Sequence, residues 1–93
     1  MSKESVTVQA WPHQEPPTES TVRHLMAEEG VPSYRWSNGP GDVYAAHTHS
    51  YHKVIYVVQG SITFGLPQEG RKVNLKVGDR LDLPANIVHD AVV

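Results

Sequence analysis

The fold of this chain is decided by residues 53–83, which have the sequence KVIYVVQGSITFGLPQEGRKVNLKVGDRLDL. Apolar and polar residues alternate through most of it, and a period of two indicates strands with one buried face. Turn sequences at residues 60–61, 67–70 and 78–79 separate short strands. Residues 53–59 are almost entirely apolar, which predicts a strand near the middle of a sheet. Short strands joined by such turns predict an antiparallel barrel or sandwich.

The same pattern extends to both sides of this stretch. Upstream, residues 34–36 and 43–49 are predicted strands, and the turn sequence NGPG at residues 38–41 lies between them. Downstream, residues 88–93 form the last predicted strand, after a turn at residues 84–86. The predicted fold class is therefore all-β, a small antiparallel β-barrel or jelly roll, with one short N-terminal α-helix.

That helix is predicted over residues 18–29, where apolar residues spaced three and four apart form one short stripe. Thr18 suits the N-cap position, because its hydroxyl can accept from a free backbone N–H of the first turn. Gly30 suits the position after the helix, where a left-handed backbone is common. Before the helix, residues 6–11 alternate and predict an edge strand, and a proline-rich connector follows it.

The length and composition indicate one small domain. The chain has 93 residues, enough for a single domain. We expect residues 1–33 to hold the strand, connector and helix, and residues 34–93 to hold the barrel. The chain has no cysteine, which excludes a disulfide and a thiolate metal site. Its support must come from a packed core, a histidine or carboxylate metal site, or a partner subunit.

The charge balance argues against several partners. Eight Lys and Arg against 10 Asp and Glu give a net charge of −2. A nucleic-acid-binding face is unexpected, because such faces are built from clustered Lys and Arg. No apolar run approaches the roughly 20 residues of a membrane span, and the start of the chain lacks the apolar core of a secretion signal. We therefore expect a cytoplasmic protein with neither nucleic acid nor membrane as a partner.

Histidine is the outlier in the composition, with six in 93 residues. Two of them form the sequence His47-Thr48-His49. Residues i and i+2 of a strand point to the same face, so both imidazoles would project to one side. That spacing suits two ligands of one metal ion. Lys53, four residues after His49, would lie on the same face of a regular strand.

This region also carries a longer motif, Gly41-x5-His47-x-His49-x3-Lys53-x6-Gly60. It resembles the first conserved motif of the cupin superfamily, with Lys53 at the position where that family usually has glutamate. The spacing between the anchor residues matches. Small single-domain cupins are the members it resembles most.

A second motif, Gly78-x5-Pro84-x-Asn86-x2-His89, resembles the second conserved motif of cupins. Asn86 stands where glycine is usual, and the spacing again matches. The resemblance covers residues 34–93. Two motifs in the expected order are a far more specific signal than a His-x-His sequence alone.

The resemblance implies a metal centre. In cupins the two motifs lie on opposing walls of the barrel, and their histidines and glutamate bind a divalent metal ion. Carried over to this chain, His47, His49 and His89 occupy ligand positions. Three neutral nitrogen ligands suit several first-row metals, so Zn, Ni, Fe, Cu and Mn all stay open.

Lys53 leaves three alternatives at this centre. An ammonium close to a divalent cation is repulsive, by roughly 4 kcal/mol for a unit pair at about 4 Å in an effective dielectric near 20. In the first alternative, Lys53 bends away and leaves a three-histidine site with open positions. In the second, His52 turns inward through a bulge and becomes a further ligand. In the third there is no metal, and Lys53 and the histidines receive an anionic ligand.

Two functions follow from these alternatives. One is a metal-dependent enzyme acting on a small organic metabolite, for which the resemblance implies oxygenation, isomerisation or lyase chemistry. The other is a non-enzymatic module that binds or senses a small molecule without metal. Both predict a small-molecule ligand. We also expect a homodimer, because an exposed edge strand at residues 6–11 and a small core favour pairing with a second subunit.

Overall fold

The structure is a computed structural model, and it describes residues 6–93. These residues form one α-helix, α1 (Glu19–Glu28), one 3-10 turn (Pro67–Glu69) and seven strands. The strands, in chain order, are β1 (Thr7–Gln9), β2 (Val43–His47), β3 (Lys53–Tyr56), β4 (Ser61–Leu66), β5 (Arg71–Lys76), β6 (Arg80–Leu83) and β7 (His89–Val92).

The strands form two sheets, and every pairing between them is antiparallel. The smaller sheet has the order β1-β6-β3, and the larger has the order β2-β7-β4-β5. This arrangement confirms the predicted small all-β fold with one short helix. Within residues 6–93, no helix has the length and apolar character needed to cross a bilayer.

Side chains from both sheets join in one hydrophobic core. In β4 the alternation predicted from the sequence is observed, since Ile62, Phe64 and Leu66 are all buried. Leu75 of β5 and Leu81 of β6 are fully buried in the same cluster. Alternating side chains point to opposite faces of a strand, so the period of two places each apolar set on the inner face.

Gly65 permits a close approach between two strands of the larger sheet. It lies opposite Asp90 in the β4–β7 pairing. A Cβ atom at residue 65 would overlap the Asp90 carboxylate. Only glycine fits at residue 65, because there is no space for a side chain. Its strand, β4, is the neighbour of β7, which begins with His89.

The helix begins and ends where its capping residues predict. Thr18 is the N-cap, and its hydroxyl accepts a hydrogen bond of 3.1 Å from the backbone N–H of Thr21. At the other end, the N–H of Val31 donates to the carbonyl of Met26, and Gly30 has a φ of 73°. This is a Schellman arrangement, which satisfies carbonyls of the last turn.

Three predictions about individual strands are wrong. Residues 34–36 form no strand; Tyr34 is 72% exposed and Trp36 is 41% exposed. The strand predicted over residues 43–49 already ends at His47. The apolar stretch at residues 53–59 forms only β3, which lies at the edge of its sheet.

Tyr56 of β3 packs against side chains from a loop and from the neighbouring strand. The ring of Trp11 packs edge-on against Tyr56 with ring centroids 6.5 Å apart, and the guanidinium of Arg80 lies over the same tyrosine. All four residues of β3 are half-buried, so this apolar stretch does not require the full burial of a central strand. By contrast, β1 lies at the other edge of this sheet, as predicted.

Candidate metal centre

His47 and His89 face each other across two neighbouring strands of the larger sheet. In the β2–β7 pairing, Tyr44 lies opposite Ala91 and His47 lies opposite His89. Three positions along β2 therefore match two along β7, which is the extra residue of a β-bulge. The two imidazole rings have centroids 4.3 Å apart. The bulge thus aligns residues that a regular ladder would have placed out of register.

His49 joins this pair from the loop after β2, and not from the strand face on which it was predicted. Its ring centroid lies 4.8 Å from that of His47 and 5.1 Å from that of His89. A backbone bond holds the loop in place, since the N–H of Asn86 donates to the carbonyl of His49 over 2.7 Å. The loop that carries His49 is thereby tied to the turn that precedes His89.

Asn86 adopts the backbone conformation that glycine would adopt at this position. Its φ is 66°, the left-handed region, and among the described residues it is the one non-glycine residue with a positive φ. Asparagine tolerates this region better than most residues, because its short polar side chain stabilises it locally. The departure from the usual glycine of the second motif therefore leaves the turn intact.

Backbone carbonyls hold two of the imidazoles in one tautomer. The Nδ1 of His47 lies 2.7 Å from the carbonyl oxygen of Ala45, and the Nδ1 of His89 lies 2.9 Å from that of Ile87. Each bond requires a proton on Nδ1, because a carbonyl oxygen only accepts. The Nε2 atom of each ring then keeps its lone pair. Histidines that bind metals are commonly oriented in this way.

The third imidazole carries a buried nitrogen with no partner. Among the described residues, the Nε2 of His49 is the one buried side-chain N or O atom without a hydrogen bond. An unsatisfied buried polar atom costs roughly 1–3 kcal/mol. The ligand nitrogens of His47, His49 and His89 all lie within 4.8 Å of one another. The donor set and the free nitrogen both fit a divalent metal ion that prefers imidazole.

The local environment favours neutral imidazoles. Burial lowers the pKa of His49 below its ordinary 6.5, and the Lys53 ammonium and the neighbouring histidines lower it further. Burial also lowers the pKa of His89, although its bond to the Ile87 carbonyl opposes that shift. A histidine must be neutral to bind a metal ion. Both rings therefore hold the required protonation state at neutral pH.

The three histidines line a cleft of ≈ 160 Å³. His47 is exposed and His89 is buried, so the cleft leads from solvent to the inner end of the cluster. Lys53 also lines it. The other lining residues are aromatic or apolar: Tyr34, Trp36, Tyr44, Ile55, Phe64 and Ala91.

A comparison with protein-family models finds a match described as the Cupin domain over residues 34–93, which is well over half of the chain. The chain belongs to the cupin family. The match covers the same residues as the resemblance seen in the sequence motifs. Comparisons with curated proteins and with solved structures find no match.

Lys53 distinguishes this cupin from the usual motif, and the structure shows its surroundings. It is half-buried on β3, and its Nζ lies 5.6 Å from the ring centroid of Trp36, in a cation–π contact. None of the ion pairs formed within residues 6–93 involves Lys53. The cleft of this cupin therefore contains a cation with no carboxylate partner.

His52 lies outside the cleft and apart from the cluster of three histidines. Its Nε2 is 3.2 Å from the Oδ1 of Asp82 on β6, and its side chain is 47% exposed. The bulge of this region lies in β2, upstream of His52, and does not turn that residue inward. The structure brings together the three predicted metal ligands and Lys53, but it does not bring His52 to them.

Tyr34 and Trp36 line the cleft of this cupin without having been predicted there. The sequence pattern predicted a strand at residues 34–36, which is the wrong element. Trp36 instead packs edge-on against Tyr44, with ring centroids 5.3 Å apart. No short motif marks these residues, because their position depends on a loop that folds back over the sheet.

Proposed function

We propose that this cupin binds a divalent transition-metal ion through His47, His49 and His89, and that the bound ion acts on a small organic metabolite in the adjoining cleft. The observation that supports the proposal most strongly is the buried, unpartnered Nε2 of His49 within a cluster of three imidazoles. A metal ion would supply the missing partner of that nitrogen.

The tautomers explain why a cation suits the cluster better than mutual hydrogen bonds. His47 and His89 each use a proton on Nδ1 to bind a backbone carbonyl. Their Nε2 atoms are therefore acceptors, and the single N–H of a neutral His49 could donate to at most one of them; its Nε2 makes no hydrogen bond in this structure. A Lewis acid can accept electron pairs from all three rings at once.

When bound, an ion of this kind supplies Lewis-acid or redox activation at the coordination positions that the protein leaves open. The chain's own residues have separate tasks. The carbonyls of Ala45 and Ile87 hold two of the rings in orientation, and Lys53 offers positive charge to an anionic group.

A second candidate function is supported by Lys53 alone. A cation without a carboxylate partner in a cleft lined by imidazoles also suits a module that binds an organic anion without metal. Measurement of metal binding separates the two candidates, because only the first requires it.

We expect the purified protein to bind about one zinc or nickel ion per chain at neutral pH. A ligand present at 100 times its Kd stabilises a protein by roughly 2.7 kcal/mol, which for a domain this size corresponds to a rise in Tm on the order of 10–20 °C. Elemental analysis and thermal unfolding with and without chelator measure both quantities. A metal content far below one ion after loading, with an unchanged Tm, would contradict the first candidate.

Lys53→Glu is expected to bind metal about tenfold more tightly, because it removes a repulsive ammonium and restores a carboxylate ligand. Calorimetric titration with zinc measures the change. The matched control is Lys72→Glu, which makes the same charge change at an exposed position of β5 that does not line the cleft. Equal or weaker binding by Lys53→Glu would refute the role given to residue 53.

A further inference from the structure

We propose that the cleft binds a small aromatic carboxylate, whose carboxylate pairs with Lys53 and whose single ring packs among the aromatic side chains. The inference rests on the proposed function in placing this ligand beside the three histidines. It goes further by naming the class of the ligand from the charge, volume and lining of the cleft.

The charge of the cleft favours an anion. Among residues 6–93, Lys53 is the one charged residue of the lining apart from the titratable histidines, and no aspartate or glutamate of this part of the chain lines the cleft. Lys53 is half-buried as a residue, and its Nζ lies 5.6 Å from the centroid of the Trp36 ring. Partial burial strengthens the attraction to an incoming carboxylate, since the effective dielectric is lower than in water.

The volume of the cleft matches that of about one ring. An apolar cavity of about 150 Å³ is large enough to bind benzene, and the cleft has ≈ 160 Å³. Sites for drug-sized ligands are larger, on the order of 300–1,000 Å³. A six-membered ring with a short acidic substituent therefore fits within the cleft, whereas most of a nucleotide or an oligosaccharide would extend into solvent.

The lining favours an aromatic ring over an alkyl chain. Trp36 and Tyr44 already meet edge to face, and the ring of Phe64 lies 6.3 Å from that of His89. Aromatic pairs of this kind gain stability beyond the burial of area, because the edge of one ring is attracted to the face of another. A planar ligand ring can make the same contacts with several of these side chains.

The first test uses the unmodified full chain, metal-free and zinc-loaded, titrated calorimetrically at pH 7 with benzoate, benzamide and acetate. Benzamide keeps the ring without the charge, and acetate keeps the charge without the ring. We expect benzoate to bind at least about tenfold more tightly than either. Benzamide binding as tightly as benzoate overturns the role of charge, and acetate binding as tightly overturns the role of the ring.

The second test asks whether Lys53 is the residue whose positive charge binds the carboxylate of benzoate. Lys53→Met keeps the apolar stem and removes the ammonium, so benzoate binding should weaken about tenfold or more while benzamide binding stays the same. Lys72→Met is the matched control and should leave both unchanged. Wild-type benzoate affinity in the Lys53→Met protein overturns the proposal. The comparison of the three compounds with the wild-type chain stands even if the variant folds poorly.

Different results would contradict the metal centre and the anion site formed by Lys53 and the aromatic lining. If the protein binds benzoate selectively but takes up no metal, the metal centre is wrong and the anion site stands. If it binds metal but does not distinguish benzoate from benzamide, the anion site is wrong and the metal centre stands. Lys53→Glu should move the two affinities in opposite directions, with tighter zinc binding and weaker benzoate binding.

Discussion

Replacing His49 with alanine is expected to weaken metal binding by about 100-fold or more. The substitution removes one of three nitrogen ligands, and even the loss of a partner behind a ligand costs roughly 10–100-fold in metal affinity. The remaining pair, His47 and His89, would still hold their Nε2 lone pairs in place, because their Nδ1 atoms bind backbone carbonyls. Calorimetric titration with zinc measures the loss, and the rise in Tm on adding metal should disappear with it.

His24→Ala is the matched control for this experiment. It deletes the same side chain from an exposed helix position, where His24 pairs with Glu28 outside the cleft. Histidines outside a folded site, such as those of an unfolded chain or a purification tag, also bind zinc. The control shows whether the loss of any one histidine lowers the affinity, and we expect His24→Ala to keep the wild-type affinity for zinc. An affinity for zinc that is the same in His49→Ala and His24→Ala would remove His49 from the metal centre.

Replacing Arg80 with methionine is expected to lower the free energy of unfolding by about 2 kcal/mol. Arg80 binds the carboxylate of Glu29, beyond the helix, at 2.8 Å, and that of Asp82, on its own strand, at 2.8 Å. Breaking a buried ion pair costs roughly 3–5 kcal/mol. We expect less because Glu29 is 42% exposed, whereas Arg80 is 16% exposed.

The predicted loss corresponds to a fall in Tm on the order of 8–16 °C for a domain of this size. Thermal and urea unfolding of the metal-free protein measure it. Arg23→Met is the matched control, since Arg23 forms an exposed pair with Glu19 within one helix, and such pairs contribute roughly 0.3–0.5 kcal/mol. Equal losses in the two variants would show that Arg80 does not hold α1 against the sheet.

The pH dependence of the free energy of unfolding provides a second test of the ion pairs of Arg80. Its hydrogen bonds lower the pKa of Glu29 below 4.5 and that of Asp82 below 3.8. A carboxyl whose pKa is lower in the folded state stabilises the fold above its ordinary pKa and loses that contribution as the pH falls through the folded value. The difference in stability between wild type and Arg80→Met should therefore be largest near pH 7 and shrink as the pH falls below about 5.

The elements of this fold with local causes were predictable from the sequence. Thr18 and Gly30 bound the helix through hydrogen bonds that span only a few residues. The strand predicted after the turn at residues 60–61 is found as β4, because side-chain direction reverses at every residue of a strand and the apolar residues alternate there. The prediction failed at residues 34–36, where the alternation is too short to specify a pairing partner.

The candidate site was predictable in its residues but not in its geometry. His47, His49 and His89 follow from the spacing of two motifs. The sequence does not reveal the bulge that aligns His47 with His89, or that His49 lies beyond the strand. Both depend on how β2 and its loop meet segments about 40 residues further along the chain.

The all-β class and the capped helix could be predicted from the sequence, because each depends on neighbouring residues, and the three histidines could be predicted from the resemblance of two motifs to those of cupins. The edge position of β3, the bond between Arg80 and Glu29, and the contact of Lys53 with Trp36 depend on the tertiary structure. Arg80 and Glu29 are 51 positions apart in the chain. Such contacts form only when separate elements pack together, and no local preference of either residue specifies them.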